Sequence, residues 1–145
     1  MNIDIEERKE KALNFFKAGY NCSQSVALAY ADIFDLDVEL VKKLTSSFGG
    51  GMGRLREVCG AVSGMFFILG MKYSSTDPNI KEDKTKNYQA VQKTAQEFKN
   101  TFGSIICADL LNIKREAQIP VADQRNKEYY EKRPCAKAVV YAAEI

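Results

Sequence analysis

The sequence predicts an all-α protein: one domain spanning residues 1–145, a bundle of about five to seven helices around a buried apolar central helix. Three observations predict it. Apolar residues recur at helical spacing, with no alternating run long enough for a strand. Helix caps and stops punctuate these stripes at regular intervals. A chain of 145 residues, 46% of them hydrophobic and 28% charged, suits one ordinary core rather than two domains or a disordered tail.

The elements follow in order. Ile5, Ala12, Leu13, Phe15 and Phe16 form one face of a first helix that Gly19 should stop. Asn21 is a suitable N-cap for a second, which Val26, Leu28, Ala29, Tyr30, Ile33 and Phe34 carry to about Phe34. Asp37 can cap a third, VELVKKLTSSF, closed by Gly49. A fourth, from about Arg56 to Lys72, is apolar nearly all round, as the buried centre of a bundle is. Its Gly60 and Gly64, four apart, open one face to another backbone. After the turn SSTDPN, a long amphipathic helix from about Ile80 to Phe102 turns Tyr88, Val91, Ala95, Phe98 and Phe102 inward. Gly103 and Ser104 break and recap the chain for the short helix IICADLLN. Residues 112–124 read as a loop, and Pro134 opens a final helix.

Composition excludes several function classes. Lys and Arg number 21 against 19 acidic residues, so the net charge of +2 leaves no electrostatic footprint for nucleic acid. The start, MNIDIEERKEK, is too charged for a secretory signal. The apolar run from Cys59 to Met71 is too short to insert in a membrane. The expected location is therefore the cytoplasm, where thiols stay reduced and cysteines serve catalysis, metals or reversible redox. The absence of histidine removes the commonest base and rules out Cys–His catalysis and mixed Cys/His zinc sites.

Four cysteines remain: Cys22, Cys59, Cys107 and Cys135. Any one alone reads as a small core filler. Yet Cys22 follows the cap Asn21, Cys135 follows Pro134, Cys107 lies three past Ser104, and Cys59 falls early in the central helix. All four sit near helix starts, where unpaired N–H groups and the helix dipole favour thiolate, the reactive form. Arg54, Arg56 and Arg133 are cations close by in sequence. The chain runs 37 residues from Cys22 to Cys59, 48 on to Cys107 and 28 on to Cys135, with no C-x-x-C. Any site they share must be assembled by the tertiary fold.

Before Cys59 comes GGGMG. It lacks the Lys-Ser/Thr of a P-loop and the third glycine of a dinucleotide fingerprint, and it follows a helix rather than a strand. Gly50, Gly51, Met52, Gly53 and Arg54 are still candidates for cradling a small anion or anionic thiol. The alternative is conformational, with glycines permitting positive φ and close backbone approach to Cys59.

Taken together, "GYNCSQSV", "GGGMGRLREVCGAVSG", "GSIICADLL" and "RPCAKAV" resemble the redox-active proteins named for the pattern C…GCAxxG…C…C, over nearly the whole chain. The central motif here reads CGAVSG, with cysteine before glycine. The resemblance implies a small, mostly helical protein with a redox role for its cysteines.

Three functions stay open. In the first, a thiol–disulfide oxidoreductase, a thiolate, with Cys59 favoured, attacks a disulfide and a second cysteine, Cys22 for preference, resolves it. Its partner is a small thiol or disulfide, or a redox partner protein. In the second, all four cysteines bind zinc or an iron–sulfur cluster. In the third, a structural or partner-binding helical domain keeps its cysteines inert. Under any of the three, the helix faces offer surface for a homodimer. Ultraviolet titration of the native protein is expected to show a thiol, Cys59 for preference, ionised below about pH 8; ordinary titration of every thiol contradicts a lowered pKa.

Overall fold

The computed structural model describes residues 3–120, and these are mostly helical with no strand. The final helix expected from Pro134, with Cys135 and Arg133, lies outside them. The described helices are α1 (Ile5–Lys17), α2 (Cys22–Leu28), α3 (Val38–Thr45), a four-residue turn α4 (Gly49–Met52), α5 (Gly60–Tyr73), α6 (Lys81–Phe102) and α7 (Cys107–Leu111), with a 3₁₀ turn at Ser46–Phe48. None is long and apolar enough to cross a membrane.

Local chemistry explains most of the boundaries. Asp4 caps α1 through the Glu7 amide. At α2 a reciprocal pair does the same work: Gln24 N donates to Asn21 Oδ1 (2.9 Å), and Asn21 N donates to Gln24 Oε1 (3.0 Å). The same two side chains reach across to the end of α3, Asn21 Nδ2 to the Ser46 carbonyl and Gln24 Nε2 to the Lys42 carbonyl. One capping pair thus orients two helices.

Several expectations need correction. The second helix stops at Leu28 rather than near Phe34. The Ala29 carbonyl, which an α-helix would offer to Ile33, accepts instead from Arg8 Nη1 (2.9 Å), and Ile33 N turns back to Tyr30. Arg8 is buried, and Nη1 also donates to Asp32 Oδ1 (2.5 Å). Desolvation pushes the Asp32 carboxyl up, but hydrogen bonds and charge from Arg8 and Lys11 outweigh it and hold the group below its usual range. The central helix begins at Gly60, four residues later than expected, because the chain before it is otherwise engaged.

α5 is central, with α2 and α6 packed against it. Its Gly60, Ala61, Val62, Gly64 and Met65 are buried. On one side they join Ala12, Phe16, Val26 and Phe98; beside this core, Ala27, Leu28, Ala31 and Val41 close a second cluster against Phe67 and Ile68. The far half of α5 is only half-buried, and Met71 and Tyr73 are exposed. On the α2 side the cover is short: α2, with seven residues, is about 10 Å long, whereas α5, with 14, is about 21 Å. Likewise Phe98 of α6 is fully buried, while Tyr88, expected inside, is exposed.

The α2–α5 contact depends on the two glycines. A Cβ on Gly64 would lie 2.6 Å from the Ser23 carbonyl oxygen, and one on Gly60 would lie 3.1 Å from Cys22 Cβ. Gly70, on the same helix, has open space around it. Gly64→Ala should therefore destabilise the fold by about 1–3 kcal/mol through backbone overlap. Gly70→Ala should stabilise it by roughly 0.5–1 kcal/mol through helix propensity alone. Urea unfolding of the two variants beside the parent checks both signs.

Candidate functional site

From Phe48 onward the chain must reverse within a few residues, and it does so with the wrong hand. Gly50, Gly51, Met52, Gly53 and Arg54 all have positive φ, between 61° and 69°. Gly53 N donates to the Gly49 carbonyl, the one bond of a left-handed helical turn, while Arg56 N to Gly50 and Glu57 N to Gly51 close wider loops around it. An L-residue costs about 1–2 kcal/mol there, and glycine almost nothing. Three of the five positions are glycine. Met52, Arg54 and, further on, Arg56 (φ 62°) adopt the same sign with side chains attached.

After Arg56 the chain straightens. Val58 pairs with Ile106 in an antiparallel bridge, flanked by Cys59 N to the Ile105 carbonyl (2.7 Å) and Cys107 N to the Glu57 carbonyl (2.6 Å). This pairing delays α5 until Gly60 and leaves Cys59 as its N-cap. It also delays α7. Ser104 Oγ accepts from Ile106 N and donates to Asp109, but with residues 105 and 106 in the bridge the helix starts at Cys107 rather than directly after Ser104.

Three of the four sequence-selected cysteines therefore stand at helix starts: Cys22 and Cys107 as first residues of α2 and α7, and Cys59 as the cap of α5. All three are buried. They adjoin one another through the turn and the bridge. Cys22 Cβ lies against Gly60, next to Cys59. In the register of the bridge, Cys59 and Cys107 are diagonal neighbours on one side, a relation that separates such residues by about 7 Å. Gly49 packs on the Asn21 side chain, and a Cβ on Gly51 would sit 2.6 Å from Cys107 Cβ. The turn is thus wedged between the starts of α2 and α7.

Electrostatics single out Cys107. The Arg56 side chain is buried with 2% of its surface exposed, and its Nη1 donates to Cys107 Sγ at 3.4 Å. Its Nε and Nη2 donate to Gln118 Oε1, at 3.0 and 2.7 Å. Arg54 also turns to this strap, through Nε to the Ile119 carbonyl (2.9 Å) and Nη2 to Gln118 Oε1 (3.2 Å). Gln118 N returns a bond to the Arg54 carbonyl, and Arg115 pairs with Glu57. The Arg54 guanidinium, considered from sequence as an anion ligand together with Gly50, Gly51, Met52 and Gly53, is thus engaged in holding residues 118–119.

A guanidinium against a sulfur favours thiolate over thiol. This end of the bundle therefore sets one buried sulfur against a cation, with two further cysteines close by. Among the described residues no set of three or more cysteine or carboxylate side chains is grouped to hold a metal ion. The zinc and iron–sulfur readings required Cys135 as well, which lies outside those residues. Arg56 was visible in the sequence as a nearby cation. Gln118 was not, since 62 positions separate it from Arg56 and no local pattern links them.

Compared with known proteins, residues 20–145 match the family model described as "Putative redox-active protein (C_GCAxxG_C_C)". No curated protein and no solved structure matches.

The left-handed turn separates two costs that glycine avoids. Gly53 has left-handed φ, but a Cβ there would meet only the Ser47 carbonyl oxygen at an ordinary 3.7 Å, so Gly53→Ala should cost about 1–2 kcal/mol. Gly51→Ala adds overlap with Cys107 Cβ and the Arg56 backbone and should cost at least about 1 kcal/mol more. Thermal unfolding of both variants measures the difference, and equal losses would contradict the packing role of Gly51.

Proposed function

Because the chain belongs to the putative redox-active protein family with the C_GCAxxG_C_C pattern, we propose that it carries out thiol–disulfide exchange, with Cys107 as the attacking thiolate and Cys59 as the resolving thiol. The observation that carries this reading is the buried Arg56 guanidinium 3.4 Å from Cys107 Sγ, with Cys59 its diagonal neighbour across the bridge. It moves the attacking role from Cys59, which sequence position alone favoured, to the sulfur beside the cation.

The steps balance as follows. The Cys107 thiolate attacks one sulfur of a small disulfide, forming a mixed disulfide and releasing one thiolate. Cys59, as thiolate, then attacks Cys107 Sγ; the Cys59–Cys107 disulfide forms and the second thiolate leaves. Two electrons pass from the protein to the small disulfide, and the two protein thiol protons are left to the released thiolates or to solvent. Arg56 lowers the cost of charge on Cys107 before attack and when that sulfur departs in the reverse direction. Bringing two diagonal residues to disulfide geometry, with Cβ atoms about 3.8 Å apart, asks for a local movement of a few ångströms. A small disulfide suits sulfurs this enclosed.

Treatment of the native protein with glutathione disulfide is expected to remove the mass of two hydrogens, and peptide mapping to join Cys59 to Cys107. Cys107→Ser should abolish both the mixed disulfide and the internal one. Cys59→Ser should trap the mixed disulfide on Cys107, and Cys22→Ser should leave the reaction intact. Oxidation that proceeds normally in Cys107→Ser would overturn the assignment.

A further inference from the structure

The strap that follows α7 makes an unusual contact for an exposed segment. Residues 112–117 and 119–120 are exposed, yet Gln118 is half-buried and its side chain reaches the arginines of the left-handed turn. One oxygen, Gln118 Oε1, accepts from Arg56 Nε, Arg56 Nη2 and Arg54 Nη2. The Nε and Nη2 donors lie on one edge of a planar guanidinium, so an acceptor shared between them sets the plane's direction. Nη1, on the other side of the group, then meets Cys107 Sγ.

We propose that Gln118 is a positioning residue for the reactive sulfur: its amide oxygen fixes the Arg56 guanidinium on Cys107 without adding a negative charge. The inference rests on the proposed role of Cys107 and adds to it a determinant 11 residues further along the chain. The choice of an amide matters physically. A carboxylate at this position would hold Arg56 in the same place but would set its own charge against that of the thiolate. An apolar side chain of similar length would leave the guanidinium plane unfixed. The strap's own backbone, through Gln118 N to the Arg54 carbonyl and Arg54 Nε to the Ile119 carbonyl, holds the amide in register.

The test is the pH profile of Cys107 alkylation by iodoacetamide in the full chain, read by peptide mass spectrometry, with Cys22 and Cys59 as internal references. Gln118→Glu should move the Cys107 profile about one pH unit toward alkali, so that alkylation at pH 7 falls about tenfold. Gln118→Met should also slow it, by a smaller factor, through loss of orientation. Gln118→Asn, which keeps the amide, should recover part of the parent rate. The Cys22 and Cys59 rates should stay unchanged. A Cys107 profile identical to the parent in both Gln118→Glu and Gln118→Met overturns the inference while leaving the role of Cys107 standing. A parent Cys107 that alkylates like an ordinary thiol overturns the role itself, and the inference with it. Equal slowing at all three cysteines would mean a general change in the fold and would also overturn the positioning role.

Discussion

A segment of chain wound against its natural hand determines how this end of the bundle is built. Five consecutive residues from Gly50 to Arg54 hold positive φ, and the turn they form reverses the chain. Gly49, just before it, packs on Asn21 ahead of α2, and Gly51 leaves no room for a side chain against Cys107 at the start of α7. The price in backbone energy falls on Met52 and Arg54, since the three glycines bear little of it. In return the chain leaves the turn aimed at Ile106, and the short antiparallel bridge becomes available. Without that reversal Cys59 and Cys107 would belong to separate parts of the fold.

Buried cations do the second part of the work, and each does it differently. Arg8 takes the Ala29 carbonyl and Asp32, which ends α2 and frees the following residues to bend toward α3. Arg56 takes the amide of Gln118 and the sulfur of Cys107. In both places a long side chain reaches groups far away in sequence. Burying a guanidinium carries a substantial desolvation cost, which its hydrogen bonds must offset. The first arrangement shapes the core, and the second shapes the environment of a thiol.

What could be read from the sequence follows the range of each interaction. The all-α class, the caps at Asn21 and Asp37, the long helix closed by Gly103 and the close approach at Gly60 and Gly64 are all local signals, and they were legible. So was the placing of Cys22, Cys59 and Cys107 at helix starts, because caps and cysteines stand side by side in the chain. The end of α2 was not legible, because it depends on Arg8, 21 positions away. The start of α5 was not, because hydrophobicity does not reveal that residues 57 to 59 are pledged to residues 105 to 107. The glycine loop announced positive φ, but not that its arginines would hold Gln118. Apolar composition overstated the burial of α5, since it says what a helix could cover and not that α2 spans only half of it.

The bridge between Val58 and Ile106 has a thermodynamic consequence of its own. It brings together points 48 residues apart, with α5 and α6 between them. A covalent link across it would close a loop of that size, and the unfolded chain would lose freedom equivalent to about 4 kcal/mol in the chain-entropy account. By the closed cycle of folding and oxidation, that gain in foldedness would appear as roughly 90 mV of extra reluctance to be reduced, lessened by any strain in closing the bond. The electron affinity of such a pair would then be set by the architecture of the two longest helices, and loosening their packing would turn it into a stronger oxidant.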